Sequence, residues 1–149
     1  VIRHFLMAGI VPATFCVANP TAYSESGANV AAMGTFARYG ICQEVEGFTL
    51  DTAINLNSSL LRVNSVSFST GIYANFDGWR IGPEFSTGLA SHDWTKPFVY
   101  YSYAVRGIWD LNEKWSATSS LGFQPAPKML RDEGVNAWPV YSLGLQRKF

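Results

Sequence analysis

Beyond residue 25 the dominant period of apolar and polar side chains is two, not 3.6, and this constrains the fold more than any other feature. Successive side chains of a strand point to opposite faces, so each strand patterned this way has one apolar and one polar face. In the first such run, Phe48, Leu50, Ile54 and Leu56 share a face with Thr52, while Thr49, Asp51, Ala53 and Asn55 share the other. Val66, Phe68, Thr70, Ile72, Ala74 and Phe76 then oppose Ser67, Ser69, Gly71, Tyr73 and Asn75. Asp77-Gly78 follows, a dipeptide that signals a hairpin when it separates alternating runs. After it, Trp79, Ile81, Phe85 and Leu89 face one way, and Arg80, Gly82, Glu84, Ser86 and Gly88 the other.

The pattern continues to the C-terminus. Residues 90–97 read as a polar loop, Phe98 to Trp109 as a strand, and Asp110 to Lys114 as a short turn. Trp115 to Phe123 is the next strand, residues 125–136 a longer loop, and about Ala137 to Phe149 the last strand. A run from about Ala28 to Tyr39 is weaker and rich in Ala and Gly. Seven strands are clear. Closed single-chain barrels of this type have an even number, so an eighth is expected in Arg38 to Gly47, in Leu60 to Phe76 read as two strands, or in the N-terminal segment. The fold expected is all-β: an antiparallel up-and-down transmembrane β-barrel of eight strands.

Composition supports that choice over a helical membrane protein. Charged residues are 15% and aromatics 15%, and the mean hydropathy is only +0.05. A bundle of membrane helices would be far more apolar. The formal net charge is zero, which removes the surplus of cations that nucleic-acid binding needs. With 149 residues there is room for one domain.

The N-terminus reads as an address. Arg3 and His4 precede an apolar run from Phe5 to Ala18, too short to span a membrane as a helix and interrupted by Pro12. The expectation is a signal peptide over residues 1–18, cleaved after Ala18 or after Ala22, with residues 19–149 forming the barrel. Cys16 lies in that segment, which leaves Cys42 as a bystander thiol close to Glu44 and Glu46. No Cys/His spacing suits a metal, so no metal or cofactor is expected.

Turn lengths and tryptophans suggest an orientation. Asp77-Gly78 and Asp110 to Lys114 are short, as periplasmic turns of outer-membrane barrels are, and the other connections read as longer. Trp79, Trp109 and Trp115 all lie beside the short turns, where aromatic rings form an interfacial girdle.

The chain ends in Tyr141, Ser142, Leu143, Gly144, Leu145, Gln146, Arg147, Lys148 and Phe149. Tyr141, Leu143, Leu145 and Phe149 share one face, and Ser142 and Gly144 lie on the other. This resembles the C-terminal assembly signal of bacterial outer-membrane barrels, with Arg147 standing where a hydrophobic residue is usual. In architecture the chain resembles the small barrels of the OmpX/Ail and OmpA-like porin groups. The resemblance implies a bacterial outer-membrane location. It implies as partners the barrel-assembly machinery, outer-membrane lipid and lipopolysaccharide, and an extracellular ligand held by the loops.

If the polar faces point inward, Asp51, Arg80, Glu84 and Arg106 form an ionic network in the lumen, with Arg80 and Glu84 neutralising each other along one strand. Eight strands enclose just enough space for side chains, so a packed plug is expected ahead of a narrow pore for small solutes. His92, in Ser91-His92-Asp93, cannot form a triad with its immediate neighbours, which point to opposite faces. A lipid A deacylase of this size resembles the chain in fold only, and its His-x-Ser-Asn motif is missing here. No catalytic residue is therefore expected. The remaining alternatives are a lipid A-modifying barrel enzyme, with His92 paired to a distant Ser and Glu, and a secreted soluble β-protein. The expected role is structural or surface-interacting.

Overall fold

The computed structural model describes residues 20–30, 33–59, 63–92, 95–125, 132–134 and 137–149. Eight antiparallel strands close into a barrel, each paired with its neighbours in sequence and the last with the first. They are β1 (Thr21–Asn29), β2 (Gly34–Val45), β3 (Phe48–Ser59), β4 (Val63–Phe76), β5 (Trp79–His92), β6 (Thr95–Asp110), β7 (Trp115–Pro125) and β8 (Ala137–Lys148). Closure removes the free sheet edges that an open sheet would expose.

The alternation read from the sequence becomes a division between wall and lumen. Outward-facing Ile54, Phe68, Ile72, Leu89, Val99, Tyr101, Leu121 and Leu143 are exposed, whereas Asp51, Ser67, Ser69, Tyr73, Arg106 and Ser142 are buried inside. Followed from Ala22 through Ile41, Thr52, Thr70, Phe85, Tyr103, Phe123 and Pro139, the register climbs around the barrel, so that the path ends beyond Ser142, the last β8 residue paired with β1. That stagger tilts the strands and leaves a lumen filled by side chains.

The first strands differ from the sequence reading. The stretch 28–39 is not one strand but the end of β1, a connection, and the start of β2. The eighth strand thus comes from splitting this stretch, with β2 running through most of Arg38 to Gly47, and residues 63–76 remain a single strand. β1 was hidden because its outward residues are Ala22, Ser24, Ser26 and Ala28, which carry no apolar period. Ala22, one of the two expected cleavage positions, lies within β1 opposite Ile41; the other, Ala18, falls outside the described residues.

The expected polar loop at 90–97 is also corrected. β5 runs on to His92 and β6 starts at Thr95, leaving only residues 93–94 between them, with an irregularity in the ladder between Ala90 and His92. Of the connections at that end, 126–136 alone is long. The opposite end holds the start of β1, the end of β8 and the turns 46–47, 77–78 and 111–114. Glu46 and Gly47 both take positive φ, 39° and 89°, as the tightest hairpin turns require. At Asp77-Gly78 only Gly78 does, at 81°.

Candidate functional site

The candidate site is the lumen. Tyr23 (β1) lies opposite Gly40 (β2), and a Cβ on Gly40 would come within 2.6 Å of the tyrosine ring. The missing side chain lets the ring lie flat on the wall and carry its hydroxyl inward. That hydroxyl donates to the carboxylate of Asp51 (β3), at 2.7 and 2.9 Å, and accepts from Arg38 Nε (β2) at 2.8 Å. Arg38 also binds Asp51 at 2.6 Å, Glu84 (β5) at 2.5 Å and the Asn55 side-chain oxygen at 3.2 Å. Tyr73 (β4), fully buried, donates to Asp51 and Glu84, each at 3.3 Å. One guanidinium thus holds two carboxylates, and two phenols donate to the oxygens it binds and to Asp51 Oδ1.

A second cluster crosses the barrel. Arg106 (β6) makes a two-point ion pair with Glu25 (β1), whose carboxylate also accepts from Thr118 Oγ1 (β7) at 2.7 Å. Gly144 (β8) faces this cluster. A Cβ there would meet Thr118 Oγ1 at 2.7 Å and Glu25 Oε2 at 2.9 Å. The glycine expected as part of an assembly signal is therefore also the space that the Glu25 cluster fills.

A third cluster lies at the short-turn end. Asp110 (β6) receives Arg80 (β5) at 2.8 Å, Ser116 Oγ (β7) at 2.8 Å and Lys148 (β8) at 3.6 Å. Together the three clusters match four carboxylates, Glu25, Asp51, Glu84 and Asp110, with four cations, Arg38, Arg80, Arg106 and Lys148. Low-dielectric surroundings make an unmatched charge costly, so pairing is what allows the ions of the first two clusters to be buried together, while Asp110 and Lys148 at the rim stay partly exposed.

The four lumen residues expected from sequence all lie on the inner face, but with different partners. Arg80 and Glu84 do not pair with each other: Arg80 goes to Asp110 and Glu84 to Arg38. Four residues apart on the same face, they stand about 13 Å apart along a strand, and each finds a closer opposite charge, Arg80 on the adjacent β6 and Glu84 across the lumen on β2. Arg38, Glu25, Tyr23, Tyr73 and Asp110 were missed. Arg38 and Glu25 lie in the stretch where the outer face carries no clear period, and Asp110 reads as a turn residue.

Toward the long-connection end the lumen opens into a polar cavity of about 60 Å³, floored by Arg38, Glu84 and Arg106. One side of it is a hydrogen-bonded chain: Ser142 donates to Asn29 at 2.6 Å, Asn29 to Asn57 at 3.3 Å, and Asn57 to Ser65 at 3.0 Å. Ser86, Ser102 and Ser120 line the opposite side. His92 ends β5, opposite Val63 and Thr95. Among the described residues no group of His, Cys, Asp and Glu could hold a metal ion.

On the outer wall, Trp79, Trp109 and Trp115 lie on the adjacent strands β5, β6 and β7 and cover one arc of the short-turn end. Trp79 stacks on Phe76 with centroids 4.4 Å apart. Arg147, the departure from the C-terminal pattern, faces outward with its guanidinium 5.7 Å from the Trp115 centroid and 5.7 Å from that of Phe149. Tyr141, Leu143 and Leu145 continue this outer face, and Ser142 lies inside.

No protein-family model and no curated protein matches this sequence. Among solved structures, the chain is similar to a de novo designed transmembrane β-barrel at 13% identity, covering 87% of this chain and 94% of the design with a TM-score of 0.50. It is likewise similar to the designed barrel TMB2.3, solved by solution NMR, at 8% identity, covering 87% and 93%, with a TM-score of 0.52. At such identities the likeness is one of fold: this chain is an eight-stranded antiparallel barrel of the kind built to cross membranes.

Proposed function

We propose that this chain is a barrel of the bacterial outer membrane, of the general kind of the OmpX/Ail and OmpA-like groups, with a structural or surface-interaction role. The observation that carries this reading is the inverted distribution of side chains. Large apolar residues such as Phe68, Ile72, Val99, Leu121 and Leu143 are about half exposed on the wall, while arginines and carboxylates are buried inside. A water-soluble protein with such a wall would expose a continuous apolar band and associate through it, and a hydrocarbon solvent removes that cost. The wall meets lipid, with lipopolysaccharide around the end bearing the 126–136 connection, and Tyr141 to Phe149 is what the assembly machinery reads.

The role is non-catalytic, and the balanced ionic clusters close the lumen to solutes. The test is heat-modifiability of the outer-membrane fraction on a denaturing gel, followed by conductance in planar bilayers. A boiling-dependent mobility shift with no steady conductance is the expected result. A protein found soluble in the periplasm, with no shift, overturns the membrane reading, and steady ohmic conductance overturns the closed lumen.

A further inference from the structure

We infer that Arg147, Trp115 and Ser24 form a headgroup site for an anionic phospholipid on the outer wall at the short-turn end; the inference rests on the membrane-spanning reading above. The three residues lie side by side on adjacent strands. Arg147 (β8) is the register partner of Trp115 (β7) on one side and of Ser24 (β1) on the other. All three point outward, since Gln146, Glu25 and Ser116, their sequence neighbours, are buried in the lumen.

Arg147 is an uncompensated cation on the lipid-facing wall. Among the described residues it pairs with no carboxylate: Asp110 is taken by Arg80 and Lys148, and Glu113, on the adjacent turn, is exposed and bonded to neither Arg147 nor Lys114. Lys114 adds a second unpaired cation to the same turn, and its carbonyl accepts from the Lys148 amide at 2.8 Å. The carboxylates of the other turns at this end, Glu46 and Asp77, belong to the β2–β5 side of the barrel. Positive charge is thus gathered where the β6–β7 turn meets the end of β8.

A cation on a barrel wall is tolerated only near the interface, where phosphates lie. The planar guanidinium binds two phosphate oxygens at once, and the aromatic faces of Trp115 and Phe149 hold it in one orientation. The Ser24 hydroxyl, which bonds to no described residue, supplies a further donor. Toward the middle of the barrel the next outward residue of β8 is Leu145, flanked in register by the small residues Ala117 and Ser26. They leave room along the wall for an acyl chain, which favours a lipid over a free phosphate.

The test is lipid retention by the full chain, reconstituted in nanodiscs of phosphatidylcholine and phosphatidylglycerol at a three-to-one ratio and released for native mass spectrometry. The expected result is a several-fold enrichment of phosphatidylglycerol on the wild type that is lost in Arg147→Gln and reduced but not abolished in Arg147→Lys, which keeps the charge without the two-point fork. Lys96→Gln, a cation at the opposite end, keeps the enrichment. Equal retention of both lipids by the wild type, or unchanged enrichment in Arg147→Gln, overturns the site. Loss of enrichment in millimolar inorganic phosphate assigns the site to a free anion and overturns it as a lipid site. Failure to form the heat-modifiable state in any bilayer is a different result: it overturns the membrane reading itself.

Discussion

Arg106 and Glu25 are 81 positions apart in sequence and form a two-point ion pair that ties β6 to β1 through the lumen, with Thr118 as a third partner. Backbone ladders join only neighbouring strands, so this contact fixes the barrel's cross-section in a way that hairpins cannot. Breaking one side of such a buried pair leaves the other charge unmatched. Arg106→Met is expected to lower stability by about 3–5 kcal/mol. The double variant Glu25→Gln/Arg106→Met should recover most of that loss. Urea unfolding in detergent micelles, followed by tryptophan fluorescence, measures both, and a single variant as stable as the wild type would sink the assignment.

Arg38 holds Asp51 and Glu84 apart from each other and fills the centre of the lumen. Arg38→Ala removes the cation, leaves two carboxylates facing each other and opens space beneath the polar cavity. The expected outcome is cation-selective conductance in planar bilayers under conditions where the wild type is expected to be silent. A variant that folds, shifts on boiling and stays silent would mean that other side chains close the lumen.

Much of this architecture was legible in the sequence, and the gaps have physical causes. β3 to β8 announce themselves because their outward residues are large and apolar: Phe48, Ile54, Phe68, Leu89, Val105, Leu121. β1 does not, because Ser24, Ser26 and Ala28 leave its outer face without contrast to Tyr23, Glu25 and Asn29. The lumen was legible as a set of polar faces but not as a set of partners. Two residues on one strand look like a pair on paper, as Arg80 and Glu84 do, while pairing is decided by register and by which strand stands across the lumen. Arg147 looked like a defect in the terminal motif. Its place between Trp115 and Phe149 shows a charge at the rim, where a barrel wall accepts one.

Gly144 tests how tightly the Glu25 cluster fills its space. A valine there would collide with Thr118 Oγ1, Glu25 Oε2 and Phe36 Cζ, all under 3.0 Å from the added Cβ. Glu25 cannot retreat without giving up Arg106, so Gly144→Val should cost about 1–3 kcal/mol or more as an overpacked core does. Gly82→Val is a poor control because backbone atoms crowd it too. Gly47→Ala serves better: nothing lies within 4 Å and only the positive φ of 89° opposes it, a cost of roughly 1 kcal/mol. Equal loss in the two variants, measured by urea unfolding, would show that the cluster yields.

Ser142 and Leu143 are adjacent and opposite in environment, 7% and 46% exposed, and so separate the two solvents of the barrel. Leu143 pairs with Ala28 and Ser119 near the middle of its strand and faces outward. Leu143→Arg places a charge on the wall far from either rim, at about 2–4 kcal/mol if that wall meets hydrocarbon. It should sharply reduce the heat-modifiable fraction recovered from membranes. Ser142 instead donates to Asn29 at 2.6 Å inside the lumen. Ser142→Ala removes one hydrogen bond and leaves the Asn29 oxygen without that donor, so a loss of about 1–3 kcal/mol in urea is expected with assembly intact. In a water-soluble barrel the first variant would be nearly silent, because an exposed arginine costs little in water, while the second would behave the same. Normal recovery of Leu143→Arg beside a destabilised Ser142→Ala would therefore keep the lumen as described and remove the lipid from around it.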